Sequence, residues 1–175
     1  MSDEVSRRAS QIKLALFDVD GVMTDGTLFI SESGESFKPF NILDGLGLKL
    51  LKASGVNTGI VTGRSSESVR ARASELAIDH FIQGAEDKLQ AYAHLRSQLG
   101  LDDVQVSYMG DDLPDLPVLR RCGLALSPPD AVKQVREQAH FVTRSHAGKG
   151  AVREACELIM LAQGTWQSHL ATYLT

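Results

Sequence analysis

The sequence predicts an α/β fold: a doubly wound, mostly parallel, Rossmann-like sheet with helices on both faces. Three observations predict it. Short apolar, β-rich stretches alternate with amphipathic helical ones along the chain. Most strand-to-strand connections are long enough to be crossovers. Acidic, hydroxyl and basic residues stand where several strands end, the edge at which open α/β sheets bind ligands. With 175 residues and 43% hydrophobic content, residues 1–175 hold enough apolar surface for one substantial core and are read as one domain.

The first strand is expected at residues 14–17, an uninterrupted apolar run of the kind a sheet buried on both faces uses. Residues 26–41, GTLFISESGESFKPFN, break the alternation: strand, polar turn at Glu32, Ser33 and Gly34, strand. This is a β-hairpin flap inserted just after a group of aspartates. Helices then follow at 45–52, 66–76, 88–99, 114–121, 131–138 and 151–162, with strands between them at 58–61, 80–82, 104–109, 123–126 and 140–142. No other connection exceeds roughly a dozen residues, which leaves no room for a separate cap domain. The tail, 164–175, holds the only Trp and shows no clear helical period; it is expected to be loosely ordered or docked on another element.

Composition excludes several classes of function. A net charge of −4, a pI near 5.7 and the lack of any Lys/Arg cluster argue against a nucleic-acid surface. Residues 1–11 are polar and lack the apolar stretch of a secretory signal, and no run of about 18 apolar residues follows, so a cytoplasmic protein without membrane contact is expected. Cys122 and Cys156 are isolated and read as buried, reduced thiols. A small ligand remains.

The strand ends say which ligand. The first strand runs into Asp18-Val19-Asp20-Gly21, the second into Thr62-Gly63-Arg64, and the fourth into Gly110-Asp111-Asp112, with Asp115 a turn further on; Lys88 opens the helix after the third. In an extended segment Asp18 and Asp20 point to the same face, and Gly21 lets the chain turn sharply. A single aspartate ahead of a helix is ordinarily a cap. A group of them is different, because two carboxylates about 4 Å apart repel by roughly 4 kcal/mol at an effective dielectric of 20. A hard divalent ion relieves that repulsion, and an oxygen-only site with an open position suits Mg²⁺. A hydroxyl at Thr62 and an ammonium at Lys88 are then suited to phosphate oxygens.

In this order and spacing, DVDGVMTDG, VTGR, Lys88 and GDDLPDLP resemble the four motifs of the haloacid dehalogenase superfamily of aspartyl-phosphate phosphatases. FNILDGLGLKLL and SHAGKGAVREACELIMLAQG further resemble its capless branch, the 3-deoxy-D-manno-octulosonate (KDO) 8-phosphate phosphatases of lipopolysaccharide biosynthesis; the likeness runs from about residue 14 to 164. The resemblance implies Asp18 as nucleophile and metal ligand, and Asp20 as general acid and base with its carbonyl on the metal. It also implies Asp111 as third ligand, Asp112 and Asp115 behind them orienting metal-bound water and Lys88, and Mg²⁺ as cofactor. Substrate contacts would come from Asp20, Asn41, Ile42, Leu43, Asp44, Gly45, Lys49, Thr62, Gly63, Arg64, Arg72 and Lys88. The branch often carries Arg where Leu43 stands, so one cationic contact is missing here. Without the resemblance Lys49 and Arg72 read as solvated helix charges, whereas Arg64 directly follows a strand end and is placed to grip an anion. A homotetramer is implied, in which each flap and the tail around Trp166 help to close an adjacent site.

Other readings fit less of the sequence. SHAGKGAV is not a P-loop, since Thr143 occupies the first glycine position and Gly150 follows Lys149; Lys149 would instead reach substrate or a neighbour, and His146 reads as a surface loop residue. His80, His94, His140 and His169 have no ligand spacing. A receiver-like signalling domain also combines aspartates, Mg²⁺, Thr and Lys, but its phosphorylated Asp ends the third strand, whereas here the DxD pair ends the first. A phosphatase for another acidic sugar phosphate, such as sialic acid 9-phosphate, would share fold and motifs.

Overall fold

The computed structural model describes residues 2–32 and 34–174. The chain opens with a helix, α1 (Asp3–Ala9), that the polar composition of residues 1–11 conceals. Ser2 caps it by accepting from the Val5 N–H; Asp3 and Glu4 occupy its first turn and Arg7 and Arg8 its last, each sign at the favourable end of the helix dipole.

Six strands form one parallel sheet: β1 (Leu14–Phe17), β4 (Asn57–Thr62), β5 (His80–Gln83), β6 (Val106–Met109), β7 (Leu124–Ser127) and β8 (Phe141–Val142), in the order β5-β4-β1-β6-β7-β8. The hairpin strands β2 (Phe29–Ser31) and β3 (Gly34–Phe37) pair antiparallel in a sheet of their own. The helices are α2 (Ile42–Ala53), α3 (Glu67–Glu75), α4 (Lys88–Gln98), α5 (Leu116–Leu119), α6 (Lys133–Gln138), α7 (Ala151–Ala162) and α8 (Trp166–Ala171).

The alternation of side chains along each strand sorts the core into two layers. Ala15, Phe17, Ile60, Met109, Leu124 and Leu126 pack with α1, α2, α3 and α7 on one face. Leu14, Leu16, Val61, Val106, Tyr108 and Ala125 pack with α4, α5 and α6 on the other. The sheet is thus wound on both sides, as expected. Beyond the small hairpin, no second layer stands over its carboxyl edge among the described residues, so there is no cap.

Four elements differ most from expectation, each for a local reason. The helix expected from residue 45 begins at Ile42, because Asn41 accepts from the Leu43 N–H and caps it. The strand expected at 104–109 shortens to four residues, since Asp102 and Gln105 close a capping box around a 3₁₀ turn, Asp103–Gln105. The helix expected at 114–121 splits into a 3₁₀ turn, Leu113–Asp115, and α5. The tail contains α8, which tertiary contacts hold: Arg153 lies over the Trp166 ring at 5.3 Å, and His169 Nε2 is 2.7 Å from Ser54 Oγ. Six residues are too few to display a helical period.

The hairpin spans the segment expected for it, with Phe29 and Phe37 stacked across the ribbon, centroids 4.4 Å apart. Ser33, in the expected turn, lies outside the described residues. Leu28, Phe29, Ile30 and Phe37 are all exposed.

Candidate active site

The strand order fixes where the functional residues meet. From β1 the chain turns toward α2 on one face, and from β6 toward α5 on the other, so a crevice opens between the carboxyl ends of these adjacent strands. The Asp18 N–H donates to the Met109 carbonyl at 3.0 Å, carrying the pairing one residue past Phe17 and bringing Asp18 alongside Gly110 and Asp111. Val19 is fully buried, and its carbonyl accepts from the N–H groups of Val22, Met23 and Thr24, a turn that reverses the chain. Gly21 makes this possible twice over: its φ is +79°, and a Cβ there would sit 2.0 Å from Asp111 Oδ2.

A cavity of about 440 Å³ follows. Asp18, Asp20, Thr62, Gly63, Arg64, Lys88, Asp111, Asp112 and Asp115 all line it, so nine of the predicted residues converge. Lys88, placed at the start of α4 by the Asp87 cap, bridges two carboxylates: its Nζ lies 2.8 Å from Asp18 Oδ2 and 2.7 Å from Asp115 Oδ1. Burial draws its ammonium down, but Asp18 and Asp115 outweigh that and hold it above the usual lysine range.

Asp115 is the anchor of this arrangement. Fully buried, it accepts from Lys88 and from the Tyr108 hydroxyl (2.6 Å) on Oδ1, and from the N–H groups of Asp111 (3.0 Å) and Asp112 (3.2 Å) on Oδ2. Both oxygens are therefore committed to shaping the loop. Asp112 accepts from the Leu113 N–H and caps the turn that follows.

Asp18 and Asp111 are in the opposite condition. Asp18 Oδ1 is buried and accepts no hydrogen bond. Burial is the main influence on Asp18, pushing it up to about 6; Lys88 pulls against that and Asp115 adds to it. Burial, then Asp18 and Asp115, push Asp111 up to about 7. Carboxylate oxygens of Asp18, Asp111 and Asp115 lie within 4.8 Å of one another, and among the described residues no N–H donates to the Asp20 carbonyl. An orphaned buried oxygen beside repelling carboxylates suits a hard, oxygen-seeking divalent cation, held by Asp18 and Asp111 rather than by the saturated Asp115.

Asp20 is gripped on Oδ1 by Lys38 Nζ at 2.5 Å, with Arg64 Nε 3.7 Å from Oδ2. Sequence reasoning missed Lys38. The signal was there: an ammonium among Phe37, Pro39 and Phe40 must find a buried counter-charge. It also missed Tyr108, whose hydroxyl in a buried strand equally demands a partner.

The remaining predicted contacts lie outside the cavity. Asn41 caps α2 and donates to the Gly148 carbonyl; Ile42 and Leu43 are exposed on its first turn. Asp44 is buried, and its Oδ1 accepts from the Arg153 N–H at the start of α7; burial is the main influence on it and raises it above the usual carboxylate range. Gly45 admits Arg72, which donates to the Asn41 carbonyl and pairs with Glu75. Lys49 is exposed one turn further along α2. His146 pairs with Asp130 at the surface.

Known proteins share this fold. Residues 81–155 match the haloacid dehalogenase-like hydrolase family. The chain is 45% identical over 163 residues to the 3-deoxy-D-manno-octulosonate 8-phosphate phosphatase KdsC of Yersinia pestis, covering 93% of this chain and 87% of that one. A probable YrbI family phosphatase from Pseudomonas syringae superposes with a TM-score of 0.97 at 51% identity, over 99% of both chains. The Moraxella catarrhalis KDO 8-phosphate phosphatase, solved in complex with magnesium ion, phosphate ion and KDO, gives 0.96 at 44% identity, again over 99% of both. The chain belongs to the 3-deoxy-D-manno-octulosonate 8-phosphate phosphatase family of haloacid dehalogenase-like hydrolases.

Proposed function

We propose that this protein is a Mg²⁺-dependent phosphatase that hydrolyses KDO 8-phosphate to KDO and inorganic phosphate through an aspartyl-phosphate intermediate, in lipopolysaccharide biosynthesis. The observation that carries the reading is Asp18 in the cavity, its Oδ1 buried without a hydrogen bond and its Oδ2 2.8 Å from the Lys88 ammonium. Relatives at 40–45% identity carrying that activity, and one solved with magnesium, phosphate and KDO, support the substrate and the metal.

In this reading Asp18 attacks phosphorus. Asp20 protonates the departing sugar oxygen, which leaves poorly as an alkoxide, and then takes a proton from the water that opens the intermediate. Lys88 and Thr62 bind phosphoryl oxygens where charge accumulates. Asp18, Asp111 and the Asp20 carbonyl would hold Mg²⁺, which would supply the positive charge that lets carboxylate and phosphate approach. Asp115 orients Lys88 and the 110–112 loop, and Asp112 caps its end. The sugar meets Gly63 and Arg64 at the cavity wall and residues 41–45 and Lys49 beyond it; Arg72 acts through the Asn41 carbonyl that it holds.

A homotetramer is supported by the apolar side chains that the hairpin leaves exposed, Ile30 at 70% among them. No helix among the described residues is long and apolar enough to cross a membrane; a cytoplasmic location is supported by two buried, unbridged thiols, Cys122 and Cys156. Phosphate release from a panel that includes KDO 8-phosphate and sialic acid 9-phosphate tests the substrate. The highest kcat/KM is expected for KDO 8-phosphate, and a higher value for the nine-carbon sugar would reassign it.

A further inference from the structure

We propose that Lys38, on the hairpin flap, is a positioning residue for the acid–base step, and that it determines which oxygen of Asp20 carries the proton. The inference rests on the reading of Asp20 as general acid. Lys38 directly follows β3, and its side chain is only 2% exposed although it ends in an ammonium. A buried ammonium is costly unless a carboxylate meets it, and Asp20 Oδ1 does so at 2.5 Å. An ammonium only donates, so the face of Oδ1 turned to Lys38 cannot hold a proton. Oδ2 accepts no hydrogen bond, and Arg64 Nε, at 3.7 Å, is too far to make one.

With Oδ1 held by Lys38, Oδ2 is the oxygen left to exchange a proton. In the first half-reaction the Oδ2–H bond breaks and its proton passes to the sugar oxygen as the bond from that oxygen to phosphorus breaks. In the second, Oδ2 takes a proton from water as that water's oxygen bonds to phosphorus and the Asp18–phosphorus bond opens. Lys38 keeps its own protons throughout; it holds the carboxylate in one rotamer. Phe40 and Asn41 fix the backbone beside it, Phe40 against the core cluster and under Arg72, Asn41 through the Gly148 carbonyl. The flap thus reaches the chemistry through Lys38.

The test compares an alkyl substrate, KDO 8-phosphate, with an aryl one, p-nitrophenyl phosphate, whose leaving group needs little protonation. Lys38→Met should lower kcat on the alkyl substrate about 100-fold, the scale of a lost general acid, and on the aryl substrate by less than about fivefold. Lys38→Arg should recover part of the alkyl rate. Should Lys38→Met fail to fold, Lys38→Gln is read in the same way. A purely structural lysine would depress both substrates alike, and an equal loss, or none, overturns the inference provided that Asp20→Asn keeps the split. An Asp20→Asn enzyme that loses both activities equally overturns the acid assignment itself, which separates the two failures.

Discussion

The Lys88 ammonium stands 2.8 Å from Asp18 Oδ2, with both side chains more than nine-tenths buried. Its other close carboxylate, Asp115, is held by three further donors, so the lysine is fixed at the position where the proposed nucleophile meets phosphate. Lys88→Ala should lower kcat/KM by about 100- to 1,000-fold, the usual cost of losing one preorganised donor to a developing charge. Steady-state kinetics on the folded variant check this, and an unchanged kcat/KM would remove Lys88 from the reaction.

Asp115 is expected to matter more for the fold than for metal binding. Asp115→Asn leaves Lys88, Tyr108 and two backbone donors facing a neutral amide in a fully buried position, and breaking a buried ion pair in this way costs about 3–5 kcal/mol. For a chain of this size that is a Tm drop of about 6–20 °C at about 2–4 °C per kcal/mol. Tyr108→Phe should cost about 1–2 kcal/mol, since Asp115 keeps its other donors. Thermal unfolding measures both, and a Tm within a degree of wild type for Asp115→Asn would contradict the account.

Gly21 couples backbone conformation to the acidic cluster. Gly21→Ala puts a methyl at 2.0 Å from Asp111 Oδ2 in a backbone with φ +79°, so Asp111 must move. Mg²⁺ affinity should fall at least about tenfold, with the far-UV spectrum preserved. Calorimetric titration with Mg²⁺ decides it, and an unaltered affinity would show that Asp111 is not a ligand.

Stability should depend on pH in a particular direction. Asp18 and Asp111 titrate near 6 and 7 in the folded chain, against an ordinary 3.8. Raised values mean that the folded state holds these protons more tightly than the unfolded state. The contribution is complete below about pH 4 and is lost as pH rises through 6 and 7. In chelator, Tm should therefore fall between about pH 4 and 7 and level off above, each pKa unit being worth about 1.4 kcal/mol. Adding Mg²⁺ should restore Tm at pH 8 and do little at pH 5.5. A metal-free Tm that rises across that window would contradict the sign.

The hairpin prediction concerns assembly. Ile30 is the most exposed of the described large apolar residues on the ribbon, so Ile30→Glu should leave the monomer fold intact and break the proposed tetramer. Light scattering on both proteins reads this directly; a monomeric wild type ends the idea.

What could be read in the sequence follows from how local each signal was. Asp18, Asp20, Thr62, Asp111 and Lys88 were legible because apolar runs mark strand ends and strand ends converge at one edge of a parallel sheet. The two-layer core was legible for the same reason. Lys38 was not, because its apolar neighbours signal a need for a counter-charge but do not say which, and Asp20 lies 18 residues away across the hairpin. Helix α8 was hidden because the contacts of Trp166 and His169 with distant residues hold it, not a pattern of its own. Asp44 shows the reverse limit. A motif singled it out, yet its visible task is to accept from the first turn of α7, a partner 109 residues away.

Whether Asp18 is the nucleophile of a phosphatase is decided by phosphate release from KDO 8-phosphate with Mg²⁺ by wild type and by Asp18→Asn, matched for circular dichroism and Tm. Turnover is expected for wild type and a loss of at least about 10⁴-fold for the variant, which forfeits nucleophilic charge and a metal ligand together. A folded Asp18→Asn protein that releases phosphate at a rate comparable to wild type would contradict that role for Asp18.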